Sequence, residues 1–70
     1  MSKDSANIIG KNVKIIRRKK GYSLEKVSKL ADLSLNTVIK IESGLNKNPT
    51  IDTLKKLAKA LEVNIDDLIE

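Results

Sequence analysis

The apolar positions of this chain fall at helical intervals along almost its whole length. Ile9, Val13 and Ile16 recur at i, i+4 and i+7, which puts them on one face of a helix, and Ile8 and Ile15 broaden that stripe. Ser5 is a suitable N-cap for this first helix, which runs to about Lys20. Gly21 suits the position just past its end, because glycine accepts positive φ at no steric cost. Ser23 caps a short second helix with Leu24, Val27, Leu30 and Ala31 on its buried side. After a brief break at Asp32-Leu33, Ser34 caps a third helix whose inner face is Val38 and Ile41 and which Gly44 ends. Leu45-Asn46-Lys47-Asn48-Pro49 has no apolar period and reads as a polar loop. Thr50 caps a fourth helix with Ile51, Leu54, Leu57, Ala58 and Leu61 at helical spacing. Asn64 followed by Asp67 resembles a capping box and opens a final turn that supplies Ile65, Leu68 and Ile69. Nothing alternates with period two over a useful length. The pattern predicts an all-α fold, a compact bundle of about five short helices.

Length and composition narrow the chemistry. A chain of 70 residues is expected to make one small domain without a separate small-molecule effector domain. It contains neither cysteine nor histidine, so disulfides, thiolate nucleophiles, the commonest general base and the commonest metal ligands are all missing. Its three glycines are too scattered to cradle a phosphate. No enzyme, no catalytic residue, no metal site and no cofactor is expected. No apolar run exceeds two residues, which argues against a membrane span or secretory leader, so a cytoplasmic location is the expectation.

Charge adds a direction. The net charge is +5, and it is unevenly spread. Residues 1–20 carry seven basic side chains and one acid, whereas residues 49–70 carry three bases and five acids. A basic front and an acidic tail fit a polyanion on one side and a different partner on the other. A merely solvated lysine-rich surface fits the same numbers.

The informative feature is the pair of short helices at 24–31 and 35–43, joined by a turn of about three residues. That spacing matches a helix-turn-helix, whose second helix is offered to the major groove, although tight helical corners also occur in unrelated bundles. The surrounding residues are more specific. Asn12-Val13-Lys14-Ile15-Ile16-Arg17, Gly21-Tyr22-Ser23 and Leu24-Glu25-Lys26-Val27-Ser28 resemble the opening of a phage-repressor-type (Cro/cI-like, or XRE) DNA-binding domain. Leu33-Ser34, Thr37-Val38 and Ile41-Glu42-Ser43-Gly44 are similar to that family's recognition-helix segment. Pro49-Thr50-Ile51 with Leu54, Leu57-Ala58 and Leu61 matches its fourth helix. The likeness covers about residues 9–69, with 1–8 left as an arm and the start of the first helix.

The resemblance implies a lambda-repressor-like fold and sequence-specific binding of double-stranded DNA by a transcriptional regulator of the repressor kind. It also implies roles for particular residues. Arg17 and Glu42 match positions that pair to brace the first helix against the end of the third. Gly10 matches a glycine that leaves room for close helix packing, and Asn46, Lys47 and Asn48 lie in the loop that touches the sugar-phosphate backbone. Three positions depart from the family: Leu24 stands where a phosphate-binding Gln is usual, Ser28 where a small Ala is, and Asp32 where the turn Gly is.

A helical wheel separates the groove face from the core. Asn36, Ile39, Lys40 and Ser43 fall opposite Val38 and Ile41, with Leu35 at the margin. Leu35, Asn36, Ile39 and Lys40 are therefore the candidate base contacts. Asn36 can pair with adenine N6/N7, and Lys40 can reach guanine O6/N7 or a phosphate. Ile39 is either a stray exposed isoleucine or a contact to thymine methyls. Ser34 and Thr37, near the helix N-terminus, suit phosphate oxygens, as do Ser23, Ser43, Asn46, Lys47 and Asn48. Tyr22 is expected to pack at a helix junction.

One recognition helix reads only a few base pairs, so the expected working unit is a homodimer on a pseudo-palindromic operator. Val63, Ile65, Leu68 and Ile69 are the apolar residues available for its interface, although part of this set must also close the monomer core, a structural role that suits Ile65 and Leu68. The alternative reading is an antitoxin-like or adaptor module that grips a protein partner with the same helices.

Overall fold

The computed structural model describes residues 7–70. Five helices follow one another: α1 (Ile8–Lys19), α2 (Leu24–Ala31), α3 (Leu35–Ser43), α4 (Ile51–Leu61) and α5 (Ile65–Ile69). The described residues contain no strand. The proposed cap of α1, Ser5, lies outside the described residues; within them the helix is preceded by Asn7, which makes no side-chain cap bond.

The other helix starts follow from local chemistry. Ser23, Ser34 and Thr50 each stand in extended backbone and accept a hydrogen bond from the N–H three residues on, at Lys26, Thr37 and Thr53. Each bond satisfies one of the donors that a helix start leaves without an intrahelical partner. At α5 the arrangement runs back toward the cap, the Asp67 carboxylate accepting from the Asn64 N–H at 3.1 Å.

Three helices end in the same way. After α1, α2 and α4 the chain turns through a left-handed residue, namely Gly21 (φ 74°), Asp32 (φ 56°) and Glu62 (φ 59°). At each, that residue and the next donate back to the last turn: Gly21 to Arg18 and Tyr22 to Arg17, Asp32 to Lys29 and Leu33 to Ser28, Glu62 to Lys59 and Val63 to Ala58. This is the Schellman arrangement, which glycine favours because it has no Cβ to clash. Only the first of the three sites here is glycine.

The core lies where the inner faces converge. Val13, Val27, Val38, Ile41, Leu57, Leu61 and Leu68 are fully buried, drawn from all five helices. Burial of each such side chain stabilises the fold by about 1.5–3 kcal/mol relative to exposure. Tyr22, Leu24 and Leu33 pack against the edge of this cluster. The sequence pattern overstates the core at three places, since Ile15, Leu30 and Ile51 are exposed. Each belongs to the right helix, but on a shoulder that no other helix of so small a bundle covers.

α1 is the central strut. It packs on α3, where Gly10 lies against the end of that helix: a Cβ there would come under 3.0 Å from the Ile41 carbonyl. It also packs on α5, where the Asn12 side-chain amide donates to the Leu68 carbonyl at 2.9 Å.

Candidate nucleic-acid interface

α2 and α3 form a tight corner around Asp32, Leu33 and Ser34. Ser28, the small residue of this corner, is buried, and its hydroxyl donates to the Glu25 carbonyl at 2.8 Å. The corner thus closes without an unpaired hydroxyl. Val38 and Ile41 point into the core, which fixes the opposite side of α3 outward. Leu35, Asn36, Ile39, Lys40 and Ser43 are all exposed on α3, and Thr37 is half-buried at its flank.

Two rows run along this outward side. Asn36 and Lys40 stand at i, i+4, as do Leu35 and Ile39 beside them, so each pair forms neighbours one turn apart. At the N-terminal end the Ser34 and Thr37 hydroxyls lie 2.8 Å apart, and Ser34 also caps the Thr37 N–H. At the other end the Ser43 hydroxyl donates to the Lys40 carbonyl at 3.2 Å, which turns it back toward its own helix. Past Gly44, the Asn46 side-chain oxygen accepts from the Asn48 N–H, folding the loop so that Lys47 and Asn48 stand exposed. Ser23 is exposed at the start of α2, its oxygen occupied by the Lys26 N–H.

The corner is braced from behind. Arg17 Nε lies 2.6 Å from Glu42 Oε2, and the second guanidinium nitrogen lies 3.1 Å from Oε1. The third nitrogen donates to the Tyr22 carbonyl at 2.8 Å. One planar fork thereby joins α1, the turn before α2 and the end of α3, a geometry that arginine supplies and lysine does not. The next residue, Arg18, is exposed. Leu24, where the resemblance would place a polar amide, is instead half-buried against the core. The N-terminus of α2 therefore offers backbone and Ser23 but no side-chain amide.

The four residues at the C-terminal end separate. Leu68 is fully buried within its own chain, which corrects its assignment to an intersubunit contact. The physical reason is that α5 has only five residues, and its one fully buried side chain goes to closing the monomer. Val63 and Ile65 are half-buried against the same core, and Ile69 is exposed. Sequence reasoning missed the Asn12–Leu68 bond and the third Arg17 bond, because neither an amide within a helix nor a carbonyl in a turn carries a pattern signal. Among the described residues no group of acids could hold a metal ion, and no helix is long and apolar enough to cross a membrane.

A two-helix corner with a capped, outward second helix and a cationic loop after it defines a helix-turn-helix domain. The helix-turn-helix family model matches residues 13–68, and this chain belongs to that family. The HTH-type transcriptional regulators SlrR and SinR of Bacillus subtilis (strain 168) are each 33% identical to it over 63 residues, or 90% of this chain. The chain spans 41% and 57% of their respective lengths. Among solved structures, SinR, the master regulator for biofilm formation, in complex with DNA is similar at 34% identity and a TM-score of 0.85, covering 89% of this chain and 98% of that one. The restriction-modification controller protein C.AhdI from Aeromonas hydrophila is similar at 29% identity and a TM-score of 0.84, covering 93% and 96%.

Proposed function

We propose that this protein is a sequence-specific double-stranded-DNA-binding transcriptional regulator of the repressor kind, acting in the cytoplasm. The observation that carries the reading is the outward side of α3. Asn36 and Lys40 stand exposed in one row there, with Lys47 exposed in the loop beyond, on a helix braced from behind by Arg17 and Glu42. Hydrogen-bonding side chains on a rigid helix suit base edges, and the flanking cation suits phosphate. The likeness to SinR in complex with DNA supports the same assignment.

The working unit in this reading is a homodimer on a pseudo-palindromic operator, with two α3 helices in successive major grooves about 34 Å apart. Exposed Ile69, beside half-buried Val63 and Ile65, supplies an apolar contact surface. The acidic end of the chain keeps that surface apart from phosphate.

The test is binding to random-sequence duplex DNA over a series of salt concentrations. Neutralising several phosphates per subunit gives a log–log slope of several units. A flat salt response, or no binding at low salt, assigns the same face to a protein partner, the adaptor-type reading that the exposed Leu35 and Ile39 would serve.

A further inference from the structure

The apolar row on α3 lies outside the core that the described residues form. Val38 and Ile41 already fill the inner side of this helix, both with no residual exposure, whereas Leu35 and Ile39 remain 37% and 39% exposed. Both therefore present apolar surface outward from the helix. The row is also narrow. Two side chains fall far short of the ~800 Å² that each partner of a standard protein interface contributes. It is bordered by Asn36 and Lys40, both exposed, and followed by Lys47, so its surroundings suit a polyanion better than an apolar protein surface.

Within a DNA major groove the only apolar group is the C5-methyl of thymine. We infer that Leu35 and Ile39 are specificity-determining residues that read thymine methyl groups, alongside the hydrogen bonds of Asn36 and Lys40. This rests on the duplex-DNA reading of the same helix. The two side chains are four residues apart, so they are separated by about 6 Å along the helix axis. Base pairs stack at about 3.4 Å, so the two methyls belong to base pairs one or two steps apart in each half-site. The bound class of sequence is thus one in which thymine is required for its methyl, and not only for its pairing with adenine.

Deoxyuridine keeps every hydrogen-bonding group of thymine and lacks only that methyl. Duplexes are first selected from a random-sequence library with the whole chain. In a selected duplex each thymine is then replaced singly by deoxyuridine, and affinity is read by fluorescence anisotropy. One or two positions per half-site lose about fourfold, which is the ~0.8 kcal/mol of one buried methyl-sized group converted at room temperature. In Ile39→Ala and Leu35→Ala the sensitivity disappears, each variant at its own position. Both side chains are exposed, so the helix keeps its core contacts, and circular dichroism checks that it does. A selected duplex that tolerates deoxyuridine everywhere overturns the methyl reading while leaving duplex binding intact, as does a sensitivity unchanged in both variants. Failure to select any duplex at low salt overturns both readings together.

Discussion

Arg17 and Glu42, 25 positions apart, hold each other in a two-point ion pair whose side chains retain only 12% and 8% exposure. A pair this well covered behaves differently from a surface salt bridge. Its formation gains little against two apolar residues, but removal of one partner strands the other charge away from water.

Glu42→Ala is therefore expected to lower stability by about 2–4 kcal/mol, a little less than for a fully dry pair because some solvent still reaches Arg17. The double change Arg17→Met with Glu42→Leu removes both charges and is expected to lose far less. Thermal or urea unfolding of the three variants checks the order. Equal midpoints for Glu42→Ala and the native chain would mean that the pair does not hold in solution.

The recognition helix gives a contrast of kinds. Asn36→Ala and Lys40→Ala are each expected to cost about 1–3 kcal/mol on the best duplex and to relax preference at one base position. Lys47→Ala, in the loop, should weaken all duplexes alike and reduce the salt slope by about one. Selection experiments with each variant separate the two patterns. Retention of full base preference in both the Asn36 and Lys40 variants would exclude these two side chains as readers and leave base readout to the apolar row beside them.

How much of this was legible in the sequence depends on whether the signal is local. Helices α2, α3 and α4 begin, and α3 ends, as read from the sequence, because Ser23, Ser34, Thr50 and Gly44 act within one turn of themselves. The direction of α3 was also legible, since Val38 and Ile41 define its inner side with only two residues. Leu30 and Ile51 were misplaced for the opposite reason: whether a shoulder position is covered depends on a neighbouring helix, and helical spacing carries no information about that. The left-handed turn at Glu62 had no residue signal at all. Glutamate is unfavourable there, and the turn is imposed by the need to bring α5 back onto α1.

That strain is open to measurement. Asp32→Gly and Glu62→Gly remove a Cβ from left-handed backbone, and each is expected to stabilise by about 0.5–1 kcal/mol, the conformational gain exceeding glycine's entropic cost in the unfolded chain. The Glu62 variant also loses a 3.5 Å contact to Lys20, but both ends are solvent-exposed and the loss is small. Denaturant midpoints check this. A drop in either midpoint would show that the side chain contributes something the backbone geometry does not reveal.

The proposed dimer has its own probe. Ile69 is the one exposed apolar residue of α5, so Ile69→Lys should leave the monomer core intact and disrupt a contact between subunits. Sedimentation is expected to show a shift to monomer, and footprinting the loss of paired half-site protection. A variant that still sediments as a dimer and covers two half-sites would move the interface elsewhere.

The bond from the Asn12 amide to the Leu68 carbonyl joins positions 56 apart in sequence, and it makes the last helix depend on the first. A helix of five residues does not hold in water by itself, so α5 keeps its shape only while it is packed on α1 and α4. The final turn is in this sense a latch that closes on a finished domain. Its resistance to proteolysis or hydrogen exchange consequently reports the state of the first helix, at the opposite end of the chain, before any change in the central helices is visible.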